Sequence, residues 1–152
     1  MKKLILAFIL LLLVGCGKVP EPQKPAATLQ KPWHIQAKAL YIASEQIKIE
    51  GETNLPDGSL LIFGNGPDIL PKLGEATVKN GAFLTEISSS PTYDIWVMFG
   101  SLTQDKNVRE IVGPHGEKLK EYGFSTGSIE WRNWGKDNSH YYLNQKINIT
   151  TK

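Results

Sequence analysis

Gln46-Ile47-Lys48-Ile49-Glu50-Gly51-Glu52 alternates strictly, and that alternation decides the fold class. Side chains of a strand change face at every residue, so Ile47 and Ile49 share one face while Lys48, Glu50 and Glu52 share the other. The stretch predicts a strand with one buried and one wet face. It ends at Thr53-Asn54-Leu55-Pro56-Asp57-Gly58, where proline, aspartate and glycine suit the second, third and fourth positions of a type I turn. Ser59 to Phe63 then resumes as a more continuously apolar strand.

The same reading extends in both directions. In Val78-Lys79-Asn80-Gly81-Ala82-Phe83, Asn-Gly favours the positive φ angles of a two-residue type I′ turn. The resulting hairpin register sets Val78 opposite Phe83, with Ala76 and Ile87 on the same side and Glu75 and Lys79 on the other. Tyr93 to Phe99 is apolar on both faces, Tyr93, Ile95, Val97 and Phe99 on one and Trp96 and Met98 on the other, as a central strand requires. Further strands are expected at Ile35–Ile42, Lys106–Val112, Ile129–Trp134 and His140–Ile149, the last gathering Tyr141, Leu143, Ile147 and Ile149. Only Glu117 to Tyr122 reads as helix. Seven or eight short strands separated by turns predict an all-β fold, a single antiparallel β-sandwich.

Three stretches carry a resemblance: Ile47 through Ile62, Lys79-Asn80-Gly81-Ala82-Phe83, and Tyr93-Asp94-Ile95-Trp96-Val97. Together they resemble small bacterial Ig-like or transthyretin-like modules over residues 46–99, about a third of the chain. The resemblance implies a fold and no agreed activity, since function resides in sites carried by folds.

The N-terminal stretch speaks to location. Lys2 and Lys3 precede an apolar run from Leu4 to Val14, followed by Gly15 and the single cysteine, Cys16. The run is shorter than the roughly 20 apolar residues a spanning helix needs and has the pattern of an export signal. Leu13-Val14-Gly15-Cys16 resembles the lipobox of bacterial lipoproteins, in which the cysteine is lipidated on sulfur and becomes the new N-terminus. That resemblance implies cleavage of residues 1–15 and a membrane partner engaged through the lipid on Cys16. It also implies residence in the bacterial cell envelope: the outer membrane facing the periplasm in a two-membrane cell, or the outer face of the cell membrane in a one-membrane cell. A lone thiol cannot form an internal disulfide and is a liability in an oxidising compartment, which lipidation would remove.

Residues 17–32, with prolines at 20, 22, 25 and 32, are proline-rich and poor in apolar groups, so 16–32 is expected to be a lipidated linker. At about 3.1 Å per residue in polyproline geometry it would reach roughly 50 Å. Residues 33–152 are long enough for one domain with its own core. Loss of Lys2 and Lys3 brings the 17 basic residues down to 15, level with the 15 acidic ones. No basic run remains to attract nucleic acid, and no nucleic-acid partner is expected.

Catalytic patterns are missing from the sequence. The three histidines, His34, His115 and His140, lie far apart, none with a second candidate ligand at helical or hairpin spacing. His115 falls in the turn-like Gly113-Pro114-His115-Gly116, and His140 is expected to point outward from its strand. No nucleophile elbow or phosphate-binding glycine loop occurs, and Gly64-Asn65-Gly66-Pro67 reads as a turn. No metal, no cofactor and no enzymatic activity are expected. What rises above background is an aromatic cluster near the C-terminus. Trp131, Arg132, Trp134, His140 and Tyr142 form the candidate binding surface, since aromatic faces beside amides and charges anchor protein interfaces or stack on sugars. The reading is a non-enzymatic, membrane-anchored protein-binding or scaffold module with an envelope protein as partner. The alternative is a lipoprotein that binds carbohydrate, either peptidoglycan or a surface glycan.

Overall fold

The structure is a computed structural model that describes residues 31–90, 93–132 and 139–150. The chain divides into two units, Met1–Gln30 and Lys31–Lys152, and every described residue lies in the second. The expected signal segment, Cys16 and nearly all of the linker therefore fall outside the described residues.

The described residues form nine strands: β1 (Ile35–Ala43), β2 (Gln46–Thr53), β3 (Leu60–Asn65), β4 (Lys72–Thr77), β5 (Ala82–Ser88), β6 (Ile95–Gly100), β7 (Ser128–Arg132), β8 (His140–Lys146) and β9 (Ile149–Thr150). A 3₁₀ turn at Ser101–Thr103 and two short helices, α1 (Lys106–Val112) and α2 (Glu117–Tyr122), sit between β6 and β7. One sheet has the order β5-β2-β1-β9 and the other β4-β3-β6-β8-β7. The fold is all-β, as the alternation of β2 predicts: Ile47 and Ile49 are fully buried while Lys48 and Glu50 pair outside at 2.9 Å.

Both sheets contribute to one hydrophobic core. Ile35, Ile47, Ile49, Phe83 and Ile87 enter it from the four-stranded sheet, and Leu61, Phe63, Val97, Phe99 and Leu143 from the five-stranded one. Both faces of β6 are apolar because both are covered: Ile95, Val97 and Phe99 face the main core. Its second face carries a smaller cluster of Ile69, Met98 and Tyr142, with Ile62 and Trp96 packed against it.

Four local expectations are corrected. The type I′ turn is present, with Asn80 at φ 52° and Gly81 at φ 72°, and Lys79 and Ala82 exchange both backbone hydrogen bonds at 2.9 and 3.0 Å. It does not, however, join a continuous hairpin. Val78 N donates to Ser59 O (2.9 Å) and Thr53 N donates to Gly81 O (2.8 Å), so β4 enters one sheet and β5 the other. Ala76, Val78, Phe83 and Ile87 are all buried nonetheless, because the two strands meet the shared core from opposite sheets.

Lys106–Val112 is a helix, not a strand. Asp105 caps it by accepting the Val108 N–H at 3.0 Å, and Val108 and Val112 are buried one turn apart. The Pro56 turn lies one residue later than expected: Ser59 N donates to Pro56 O at 3.1 Å, and Gly58 takes the third position with φ 87°. Finally, the single strand expected over His140–Ile149 is two. The chain leaves the five-stranded sheet after Lys146, and β9 pairs in parallel with β1 at Ala39 and Leu40, the one departure from antiparallel pairing among the described strands.

Candidate functional site

β7 and β8 hold the candidate surface. Their register sets Trp131 opposite Tyr141, Glu130 opposite Tyr142 and Arg132 opposite His140. Alternation therefore sorts the side chains into two groups. Ile129, Trp131, Tyr141 and Leu143 lie towards the main core, and Glu130, Arg132, His140 and Tyr142 lie on the other face of the sheet.

The second group is not a free surface. Tyr142 is fully buried and His140 is only 4 % exposed, against the expectation that both present themselves outward. Over Tyr142 the cause is the loop between β3 and β4, which returns across this part of the sheet. Ile69 packs onto Met98 and Tyr142 while adopting φ 56°, and the absence of a side chain at Gly64 permits its approach. A Cβ at Gly64 would stand 2.6 Å from the Ile69 Cγ2. Asn144 Nδ2 donates to Pro67 O at 2.9 Å and ties the loop down.

Arg132 adds a second tie to the loop. Its guanidinium donates to Asp68 Oδ1 at 2.6 Å and to the Tyr142 hydroxyl, and stacks over the Tyr142 ring at 4.7 Å. The Tyr142 hydroxyl in turn donates to Glu130 Oε2. Burial opposes the charge on Arg132, but its bonds to Tyr142 and Asp68 more than offset this and raise its pKa. Arg132 is thus engaged within the chain, by Asp68 and by both the hydroxyl and the ring of Tyr142.

Burial, reinforced by the hydrogen bond to Glu130 and opposed by Arg132, pushes the Tyr142 phenol up to about 12. An ordinary phenol titrates near pH ~10. Because the folded-state value is raised, the contribution of the neutral phenol is fully present below about pH 10 and is lost as pH rises through about 12. An alkaline titration followed by tyrosinate absorbance is expected to show a late step that Tyr142→Phe abolishes. A titration curve of unchanged shape in that variant would place the late group elsewhere.

The first group keeps one exposed member. Trp131 is 52 % exposed on β7, the edge strand of its sheet, with its ring 4.6 Å from that of Tyr141 and inclined by 53°. Lys120 Nζ from α2 stands 5.4 Å above the Tyr141 ring. The exposed His115 turn closes the side of this patch: its carbonyl accepts the Tyr141 N–H at 2.8 Å, and its Nδ1 lies 3.1 Å from Ser139 O. Trp134, the remaining candidate, lies outside the described residues.

Comparison with protein families, with curated proteins and with solved structures finds no match.

Of the described sequence candidates, then, Trp131 is the exposed one, with Tyr141, Lys120 and the His115 turn around it. Lys120 and His115 carry no local sequence signal, because α2 and the preceding turn reach β8 only through the tertiary fold. Among the described residues no three His, Cys, Asp or Glu side chains converge as metal ligands.

Proposed function

We propose that this chain is a lipid-anchored lipoprotein of the bacterial envelope, of the Ig-like or transthyretin-like β-sandwich class. It acts without catalysis, as a protein-binding or scaffold module. The tether rests on the Leu13-Val14-Gly15-Cys16 pattern and the proline-rich segment behind it. The binding mode rests on a single observation, the half-exposed Trp131 on the strand that ends the sheet among the described residues.

A large aromatic held by an edge strand is the residue type that dominates protein interfaces, because it buries much area at small cost in side-chain entropy. The inclination of the two rings bears on partner class. Trp131 and Tyr141 form a notch and not the flat, coplanar platform that would favour a sugar ring, which supports a protein partner over a glycan. Lys120 adds a cation at the rim of the notch.

Trp131→Ala in the full chain is expected to abolish co-isolation of the partner from solubilised envelopes while changing the unfolding midpoint little. Exposed side chains away from the core usually alter stability by less than about 0.5 kcal/mol. Retention of the partner by the variant would remove Trp131 from the interface. A steep loss of stability would show that its role is packing against Tyr141.

A further inference from the structure

The edge of β1 that faces away from β2 is covered in two separate pieces. At its start, the segment following α2 runs alongside. Trp33 N donates to Gly123 O (2.9 Å), Ser125 N donates to Trp33 O (2.9 Å) and Ile35 N donates to Thr126 Oγ1 (3.0 Å). Further along, β9 pairs with Ala39 and Leu40. Backbone N–H and C=O groups of a strand alternate sides, so the bonds of Trp33 and Ile35 fix the direction of Ala37. The N–H and C=O of Ala37 point to this same edge, where among the described residues no segment pairs with them. The gap from Ile35 to Ala39 is roughly 13 Å, enough for about three extended residues.

A groove of about 590 Å³ opens at this gap. Small residues line its middle: Ala37 faces Gly51 across the β1–β2 pairing, and the Phe83 ring takes the space that a Gly51 side chain would need. Gln145, from the other sheet, also lines the groove, and its Oε1 is buried without a hydrogen-bond partner. A buried acceptor left empty is costly, so a donor brought to it is favourable. Thr126 accepts the Ile35 N–H through its hydroxyl oxygen, which leaves the hydroxyl proton to donate. Lys38 and Glu52 line the same groove with opposite charges, and neither is in a salt bridge among the described residues.

We propose that this groove is a second binding site, distinct from the Trp131 notch, and that it receives a short extended peptide segment of a partner protein. The segment enters the gap between residues 123–126 and β9. Its central N–H and C=O pair with Ala37, and a small apolar side chain lies over Ala37, beside the Phe83 ring that fills the space above Gly51. A neighbouring N–H meets Gln145 Oε1. Residues of opposite charge at the two ends complement Glu52 and Lys38. The binding mode is β-strand addition, in which backbone bonds supply affinity and the groove supplies selection.

The test uses the full chain in detergent micelles and a fluorescein-labelled, end-capped pentapeptide of apolar residues between a terminal lysine and a terminal glutamate. Saturable binding is expected by fluorescence anisotropy. Methylating the central amide nitrogen removes the donor that pairs with Ala37 and should weaken binding by about tenfold, the equivalent of one buried hydrogen bond. Gln145→Leu should weaken it comparably while melting no lower than the parent, because the lost oxygen had no partner to lose. Trp131→Ala should bind the peptide unchanged. Absence of saturable binding, equal affinity for the methylated peptide, or loss with Trp131→Ala but not with Gln145→Leu would each overturn the proposal.

Discussion

Replacing Gly51 with valine is expected to destabilise the chain more than any other single change considered. A Cβ at this position would stand 2.1 Å from the Gln36 carbonyl oxygen and 2.4 Å from Cζ of Phe83. Neither obstacle can step aside cheaply. Gln36 belongs to β1 where it pairs with β2, so moving its carbonyl disturbs the ladder. Phe83 is 5 % exposed and packs 6.2 Å from Phe63 in the core shared by both sheets.

Overpacking alone costs about 1–3 kcal/mol, and displacement of backbone adds to it. A loss of about 4 kcal/mol or more is therefore expected, against a total stability of about 5–15 kcal/mol for a domain of this kind. Far-ultraviolet circular dichroism with urea titration reads it directly. Glu52→Val, one residue on and exposed, is the control and should shift stability by less than about 0.5 kcal/mol. Equal midpoints for the two variants would contradict the close approach of Phe83 beneath Gly51.

Cys16→Ala should transfer the protein from the membrane to the aqueous fraction. Cys16 is the single thiol of the chain. On the proposed lipidation, attachment would rest on acyl chains, each buried methylene contributing about 0.8 kcal/mol, with two or more chains needed for stable anchoring. Loss of the acceptor sulfur removes all of that at once. The expected result is near-complete loss of detergent-phase partitioning, with the unfolding midpoint of the folded part unchanged, since the first core residue among the described ones is Trp33. Persistent membrane attachment of the variant would show that something other than Cys16 holds the protein there.

The strands were legible wherever alternation is clean and one face is wet, as in β2, or where both faces are apolar, as in β6. The Asn80-Gly81 turn was legible from its φ requirement, yet the destination of its two strands was not. A tight turn reads the same whether it joins strands of one sheet or passes the chain between two. Val108 and Val112 support a helix through their spacing and Asp105 through its capping, but the β-branched, short segment also fits a strand.

The burial of the candidate residues was less legible than the strands that carry them. Arg132, His140 and Tyr142 read as exposed aromatics and charges because alternation predicts only that they share a face. What covers Tyr142 and engages Arg132 is a loop some 64 residues earlier in the chain, through Ile69 and the Arg132–Asp68 contact. Nothing local to β7 or β8 reports it. Trp131 was legible as a candidate, whereas its exposure depends on the position of β7 at the end of the sheet order.

Photo-cross-linking from position 131 tests the central claim most directly. A photoreactive phenylalanine analogue is placed at Trp131 in the full chain, expressed in its own envelope and irradiated there, with the same analogue at the exposed Ser88 of β5 as control. The account predicts one discrete protein adduct from position 131 and none from position 88. No adduct from 131, or a heterogeneous glycan-sized smear in place of a band, would contradict it.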